Sequence, residues 1–325
     1  MTISTTILIM TLCLPTLTTA TTDLLLNGCV IAERRNWTVL KASGPTLRDY
    51  LQGQITQDIT KLSDSCGIHS ALLTPQGKAV SELYLLNSSD DELILLTPSS
   101  SAHATVARLR QFALGHTLRI GIVDAMGICS IQGTHVNSAL ELLGLNEPQA
   151  SWLSYSHRDA VFAMVMPQLP RGYWIIAAKE IIEKLSDTLH VVDETEVEAM
   201  RIMRGIPHFG IEWDATMHPL NANLIEFNGI SFDKGCYVGQ EVSSRMHWRG
   251  GIKKRLYQVS IDGLPEAIPC PIRTTLNIGE LKSAAMNHEG NCVGIALLPI
   301  ATAESKNTLS LENGVRVTLL EACHA

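Results

Sequence analysis

The sequence lacks the short motifs that mark the common catalytic sites. Its 325 residues contain no glycine-rich phosphate loop, no GxSxG elbow and no HExxH helix, so the best-known nucleotide, serine-hydrolase and zinc-protease sites are excluded. No CxxC pair occurs among its eight cysteines, which argues against a structural zinc site. Net positive charge is also lacking: the formal charge is −7, whereas a general nucleic-acid binder presents a net basic surface.

What the sequence does contain is an ordinary globular composition. Apolar residues make up 46% and charged residues 18% of the chain, which is long enough for two or three compact domains. The cysteines are scattered from Cys13 to Cys323 without a pairing pattern, as is typical of reduced thiols. We therefore expect a cytoplasmic protein, with the mitochondrial matrix as the alternative.

The first residues resemble a signal peptide only in part. The apolar stretch from Ile7 to Leu17 is followed by small residues, as in an export signal. However, the first basic residue is Arg34, so the charged start of such a signal is missing, and the apolar run is too short to span a bilayer. We expect residues 1–25 to be a dispensable extension or a misplaced start, with export as the alternative.

The order of predicted elements indicates an α+β fold. Between residues 26 and 250, strands followed by helices occur in two rounds, the second starting near Leu118, which predicts two α+β lobes. Helices are predicted from Pro45, and over the segment DETEVEAMRIMRG that stops at Gly205. Over residues 251–325 the helical pattern disappears and short strands alternate with turns, which predicts a small closed or nearly closed β-barrel.

The segment FDKGCYVGQEVSSRMHWRG, residues 232–250, is the most unusual part of the chain. Cys236 follows Lys234 and precedes a predicted helix, and both a cation and a helix N-terminus favour thiolate over thiol. Gly235 and Gly239 bracket the cysteine and allow tight turns. The alternative is that Cys236 is a small buried apolar residue.

The residues after the cysteine favour a binding role for this segment. Polar side chains are costly to bury. On a surface, nothing is gained by holding them in one arrangement unless they bind something. Five of them crowd together after the cysteine: Gln240, Glu241, Arg245, His247 and Arg249. The following RGGIKKR is equally consistent with a solvated basic face and with a site for an anionic ligand tail.

Two segments together resemble one protein family. GISFDKGCYVGQEVSSRMHWRGGIKKRL and SGPTLRDYLQGQITQDI are similar to the signature blocks of the YgfZ family, folate-binding relatives of the glycine-cleavage T protein. The resemblance covers residues from Leu26 to the C-terminus. It implies two α+β lobes and a barrel around a central hollow that holds tetrahydrofolate or a one-carbon derivative.

The resemblance also implies a function and partners. Members support synthesis or repair of iron–sulfur clusters in enzymes such as the radical tRNA-methylthiotransferases. The implied partners are therefore folate, iron–sulfur client enzymes and assembly factors, without direct nucleic-acid binding, membrane association or a permanently bound metal. We expect an accessory protein rather than an enzyme.

The same resemblance assigns roles to individual residues. Cys236 is the functional thiol, and Trp37 is the tryptophan that stacks on the pterin, as a flat ring favours. The other motif residues shape the loop around the thiol: Lys234, Gly235, Tyr237, Gly239, Gln240, Glu241, Arg245 and Arg249. Whether the thiol ligates iron, exchanges electrons or accepts a one-carbon unit stays open. One cysteine cannot hold a stable cluster alone, since clusters take four ligands.

Two departures bear on the alternative function, a folate-dependent aminomethyltransferase. That branch has a pair of aspartates where this chain has Ser81 and Glu82, and FIGKEAL where this chain has KGCYVGQEV. Val197 occupies the position of a second tryptophan found in some bacterial members. The accessory function predicts that Glu82→Gln is nearly silent, whereas a transferase would depend on this carboxylate. A plain folate-storage module is a third hypothesis.

Overall fold

The computed structural model describes residues 12–166, 171–273, 278–304 and 308–324. Three sequence predictions fall partly outside them: the apolar stretch up to residue 11, residues 167–169 of AVFAMVMPQL and residues 275–277 of TLNIGEL. The strands are β1 (Val30–Glu33), β2 (Trp37–Ser43), β3 (Ile68–Leu73), β4 (Ala79–Ser89), β5 (Glu92–Pro98), β6 (Arg119–Ile122), β7 (Met126–Gln132), β8 (Tyr155–Arg158), β9 (Val161–Met166), β10 (Gly172–Ala178), β11 (His190–Val191), β12 (Lys254–Ile261), β13 (Cys270–Arg273), β14 (Ile278–Met286), β15 (Cys292–Pro299), β16 (Leu309–Leu311) and β17 (Arg316–Ala322).

Eight α-helices accompany these strands within the described residues. They are α1 (Thr19–Asn27), α2 (Leu47–Gln52), α3 (Ala102–Gln111), α4 (Asn137–Leu143), α5 (Lys179–Thr188), α6 (Glu194–Met203), α7 (Gln240–Trp248) and α8 (Ile300–Glu304). Single 3-10 turns occupy Ile59–Lys61, Ser99–Ser101 and Pro219–Ala222. The helix predicted from Pro45 begins two residues later, at Leu47, and α6 ends two residues before Gly205.

Two β-sheets form the body of the molecule. One has the strand order β3-β4-β5-β2-β6, and the other has the order β11-β1-β7-β10-β9-β8. The strand pairs are antiparallel except for the short β1–β11 pair. The predicted α+β architecture is confirmed.

The sheets pack face to face because their strands are apolar on both sides. In β2, Trp37 and Val39 point into the layer between the sheets, whereas Leu40 and Ala42 point outward onto α2 and α3. Successive residues of a strand alternate between its faces. The same alternation in β10 sends Trp174 inward. The other face of that sheet is covered by α4 and α5.

The chain crosses between the sheets twice, so the six-stranded sheet draws its strands from two separate stretches of the chain. β1 belongs to the six-stranded sheet although the next strand, β2, belongs to the five-stranded one. β6 completes the five-stranded sheet, and β7 then returns to the other. A strand pattern gives the spacing of strands but not their sheet, so these crossings were not visible in the sequence.

The C-terminal barrel is confirmed and is fully closed. Its strand order is β12-β15-β14-β13-β16-β17, with β17 pairing back to β12. Closure removes unpaired strand edges. The sequence pattern missed two short strands, β13 and β16, because each presents too few residues to show a period.

The N-terminal segment is part of the fold from Leu14 onward. Leu14 lies in the barrel core, and Leu25 lies in the core that surrounds α6. The backbone at residues 15–17 pairs with Met286 of β14. The expectation of a dispensable extension is therefore wrong for the described part of residues 1–25, because deleting it would expose the core residues that Leu14 and Leu25 cover.

Candidate functional site

The segment that carries Cys236 ends in the predicted helix, α7. The residue before the helix, Gly239, has φ +85°, and a Cβ placed there would lie 2.7 Å from the Thr74 carbonyl oxygen and 3.2 Å from Gly77 Cα. Only glycine combines this left-handed backbone with so close a neighbour. The β3–β4 turn thus fixes the start of α7 and the position of the loop before it.

The loop alternates between anchored and presented side chains. Cys236 is exposed, as is its neighbour Gly235, where an added Cβ would meet no described atom within 4 Å. Lys234 and Tyr237 are buried on either side of them, with the Lys234 ammonium 5.1 Å from the Tyr237 ring centroid. The interpretation of Cys236 as a buried apolar residue is therefore wrong.

Lys234 acts as the main anchor of the loop. Its Nζ donates hydrogen bonds of 2.9 Å to the carbonyl oxygens of Ile55 and Gln57. Burial lowers the pKa of Lys234 to about 8, against the opposing attraction of Asp58. The sequence predicted this ammonium as a cation beside the thiol, whereas the structure binds it to two carbonyl oxygens inside the protein.

The cysteine loop lies along the second signature segment, about 180 residues earlier in the chain. The Val238 N–H donates to the Gly53 carbonyl at 3.1 Å, and the Ser231 N–H donates to the Thr56 carbonyl at 3.0 Å. The Thr56 hydroxyl in turn donates to the Gly229 carbonyl at 2.6 Å. The two segments that carry the family resemblance therefore form one structural unit.

Trp37 lies in an aromatic cluster between the two sheets. Only 5% of it is exposed, and its ring centroid lies 4.9 Å from Trp174, 5.2 Å from His208 and 5.3 Å from Tyr84. It borders a cavity of about 260 Å³ that is also lined by His208 and Gly210. Trp37 and Cys236 thus belong to two different parts of the structure.

Several polar atoms around Trp37 are buried without a hydrogen-bond partner among the described residues. They are Arg34 Nε and one terminal nitrogen, Asn36 Oδ1, Trp174 Nε1 and His208 Nδ1. Buried polar atoms nearly always have a partner. Burial, then the Arg201 charge, holds the pKa of His208 well below its usual range, so its ring is neutral near pH 7. This surface suits a flat ligand that carries donors and acceptors.

Glu82 lies in the same region, and its carboxylate is fully used by the protein. One oxygen accepts from the Tyr84 hydroxyl at 3.2 Å and lies 2.8 Å from His69 Nε2. The other accepts from the Phe209 N–H at 3.0 Å. His69 Nδ1 lies 3.0 Å from the Phe227 carbonyl oxygen, which only accepts, so Nδ1 carries a proton and Nε2 shares one with the carboxylate.

A buried ionic cluster supports the loop beside the cavity. Arg201 binds Glu198 at 2.9 Å and Glu212 at 3.0 Å, and Glu198 also binds Arg34. Glu212 accepts from the His208 N–H at 2.7 Å. Burial would raise the pKa of Glu198, but Arg201 and Arg34 outweigh it and hold this pKa below its usual range. These charges are structural partners of one another.

Sequence reasoning missed His69, His208 and the Arg201 cluster. His69 interrupts the apolar run IHSALL of β3, and a histidine within a fully buried strand was the available signal.

Ser81 bonds with the Thr97 and Ser101 hydroxyls at 2.5 and 2.6 Å. Val197 is completely buried in α6.

The described part of the chain offers no metal site of its own. Within it, no group of three or more His, Cys, Asp or Glu side chains is arranged to hold a metal ion. No helix in those same ranges is long and apolar enough to cross a membrane. The eight cysteines all lie within the described residues, and all are free.

Comparison of the fold defines the class of protein. The structure superposes on the glycine cleavage system aminomethyltransferase T of Bartonella henselae with a TM-score of 0.78, covering 91% of this chain and 85% of that one. Sequence identity is 16%, so this likeness shows the fold alone. The protein therefore has the glycine-cleavage T-protein fold.

Sequence comparison defines the family within that class. No family model matches the chain. The tRNA-modifying protein YgfZ of Edwardsiella ictaluri is 31% identical over 240 residues, 71% of this chain and 72% of the relative. That of Hamiltonella defensa is 28% identical over 275 residues, 82% of this chain and 77% of the relative. The chain belongs to the YgfZ family.

Proposed function

We propose that this protein binds tetrahydrofolate or a one-carbon derivative and supports synthesis or repair of iron–sulfur clusters in client enzymes such as radical tRNA-methylthiotransferases, acting through Cys236. The observation that carries the proposal is the exposed thiol on a loop whose flanking residues are anchored in the core. A thiol held in this way is accessible to a partner. The relatives' name, tRNA-modifying protein, agrees with a client in tRNA modification.

The cluster is the cargo in this proposal, and Cys236 supplies one ligand at most. A cluster normally takes four ligands, and no group of three or more ligand side chains comes together within the described residues. The client or a second copy of the chain would hold the remaining positions. Free cysteines throughout the chain fit a reducing compartment such as the cytoplasm or the mitochondrial matrix.

The residues around Trp37 fit the pterin ring of a folate. Trp37 offers an apolar flat surface, while Asn36 and His208, which line the same cavity, offer an unpaired acceptor and an unpaired ring nitrogen. The cavity of about 260 Å³ is smaller than the roughly 300–1,000 Å³ that encloses a whole drug-sized ligand. The ring would therefore be enclosed and the tail would leave through the opening.

Aminomethyl transfer is not favoured by the arrangement of Glu82. Glu82 is 2% exposed and both of its oxygens are hydrogen-bonded to the protein, so a ligand amine has little access to this carboxylate. Storage of folate alone would leave the presented thiol without a purpose.

A complementation experiment tests the proposal. The gene is deleted, tRNA methylthiolation is assayed, and wild type, Cys236→Ser and Cys13→Ser are reintroduced; Cys13 is the matched control because it is also an exposed thiol. Deletion and Cys236→Ser should lower methylthiolation equally, and Cys13→Ser should restore it. Unchanged methylthiolation on deletion would contradict the proposal.

Folate binding is tested separately. Titration with tetrahydrofolate should quench tryptophan fluorescence in wild type, and Trp37→Phe should remove most of the response. Absence of any saturable response in wild type would contradict the folate part.

A further inference from the structure

The outer side of α7 and the residues that follow it form a second feature of the cysteine region. We call it the α7 surface and define it by Arg245, Trp248, Arg249, Lys253 and Lys254. None of these side chains lines the cavity beside Trp37.

Trp248 is the apolar centre of the α7 surface. It is 72% exposed, whereas Trp37, Trp174 and Trp213 are at most 5% exposed. The Trp248 ring lies edge-on to His247 at 4.6 Å between ring centroids. A tryptophan left in water and held in place by a neighbour is an anchor that loses little entropy when it is buried by a partner.

The stack continues from Trp248 to the cysteine segment. His247 lies parallel to Phe232 with ring centroids 4.0 Å apart and an interplanar angle of 10°. Phe232 is four residues before Cys236. A partner that covers Trp248 is therefore brought next to the segment that presents the thiol.

Helical geometry places the cations beside this tryptophan. Arg245, Trp248 and Arg249 are spaced i, i+3 and i+4, so they share one side of α7. Val242, which contacts the β3–β4 turn, and Met246, which packs on the core, anchor α7 to the rest of the molecule. Arg245, Trp248 and Arg249 are exposed to solvent.

The cations of the α7 surface are mostly unpaired. Arg245 binds Glu241 at 2.5 Å, but Arg249, Lys253 and Lys254 are exposed and form no ion pair with a described residue. The helix dipole explains cations in the last turn but not the two lysines beyond it. In a chain of net charge −7, this local excess of positive charge is complementary to an acidic partner.

We propose that the α7 surface docks an acidic patch on the client protein, with Trp248 entering an apolar pocket within that patch. This rests on the proposed function, in which a client brings its cluster to Cys236. Tryptophan and arginine are the residues most enriched at the centres of protein interfaces. A single-stranded RNA is less favoured, because the α7 surface exposes one aromatic ring, Trp248, whereas proteins that bind single strands stack successive bases on several aromatic side chains.

The test measures binding of the full-length protein to a purified radical tRNA-methylthiotransferase. Two changes are compared with wild type: Trp248→Ala, and the triple charge reversal Arg249→Glu, Lys253→Glu, Lys254→Glu. The matched controls are Leu114→Ala, an exposed apolar residue elsewhere, and Lys184→Glu, an exposed cation on α5. Each α7 change should raise Kd by about tenfold or more, and each control should stay within about twofold. Added salt should weaken wild-type binding more than that of the triple variant.

The outcomes separate this proposal from the proposed function. If both α7 variants bind the methylthiotransferase within about twofold of wild type, docking through this surface is overturned. It is also overturned if they retain that binding but lose affinity for a single-stranded oligouridylate RNA used as the second probe. Cys236→Ser should bind the methylthiotransferase normally; if Cys236→Ser restores methylthiolation in cells, the proposed function fails while the docking result stands.

Discussion

The Glu82 region and the Cys236 loop differ in how their ionisable side chains are used. Glu82 is 2% exposed, and both of its oxygens are hydrogen-bonded to the protein. Cys236 is exposed, whereas its neighbours Lys234 and Tyr237 are buried. The carboxylate therefore holds parts of the fold together, whereas the thiol is available to a partner. Changes in the first region should reduce stability, and changes in the second should reduce function.

The largest expected effect is the loss of function in Cys236→Ser. Methylthiolation should fall to the level of the gene deletion, because a hydroxyl does not replace a thiolate as nucleophile or metal ligand. The free energy of unfolding should change by less than about 0.5 kcal/mol, as for other exposed positions. Thermal unfolding of the purified variant provides the second measurement. A large drop in its midpoint would contradict the comparison, since the thiol would then be structural.

Glu82→Gln is expected to lower the free energy of unfolding by about 2–4 kcal/mol. The change removes the charge that His69, Tyr84 and the Phe209 N–H all face, and breaking a buried pair leaves its partners unsatisfied. Urea unfolding measures the effect, with Glu183→Gln on the exposed side of α5 as the control. An unchanged free energy of unfolding in Glu82→Gln would show that these contacts contribute little.

The sequence predicted the fold class better than its connections. Strand and helix periods indicated the α+β body and the barrel, because each period is local. The placement of β1 and β2 in different sheets depends on contacts between distant residues, and no local pattern contains it. The family resemblance supplied the three-domain arrangement that the patterns alone left open.

For the candidate site, the sequence likewise identified the segment but not its contacts in the folded chain. The composition of residues 232–250 identified the cysteine segment and its helix. Its contact with the QGQIT segment was not foreseen, because Lys234 and Ile55 are joined only in the folded chain. The contact between His69 and the Glu82 carboxylate was also not predicted, because nothing in a sequence indicates which side chain a buried histidine will contact.

Gly239→Ala and Gly235→Ala compare the anchored and the presented parts of one loop. At Gly239 an alanine would adopt φ +85° and place its Cβ 2.7 Å from the Thr74 carbonyl oxygen, which should lower stability by about 1–3 kcal/mol. At Gly235 an added Cβ would meet no described atom within 4 Å, so the effect should stay below about 0.5 kcal/mol. Alkylation of Cys236 by iodoacetamide should change rate only in Gly239→Ala. Equal effects at both positions would show that the turn does not fix the loop.

The smallest effect concerns the pH dependence that Lys234 contributes. Burial lowers the pKa of Lys234 to about 8 in the folded protein, whereas the unfolded chain keeps the ordinary lysine value of about 10.4. Between these values the unfolded chain holds a proton that the folded protein has released, so stability rises with pH. Relative to Lys234→Met, wild type should gain about 1 kcal/mol between about pH 8 and 9. Below that window both states are protonated and the difference should be constant.

Urea unfolding at each pH measures this difference, and the same comparison with Lys184→Met should be flat because that lysine is exposed. A flat difference for Lys234→Met as well would mean that the anchor keeps its proton, and that the loop is held by a charged rather than a neutral amine at alkaline pH.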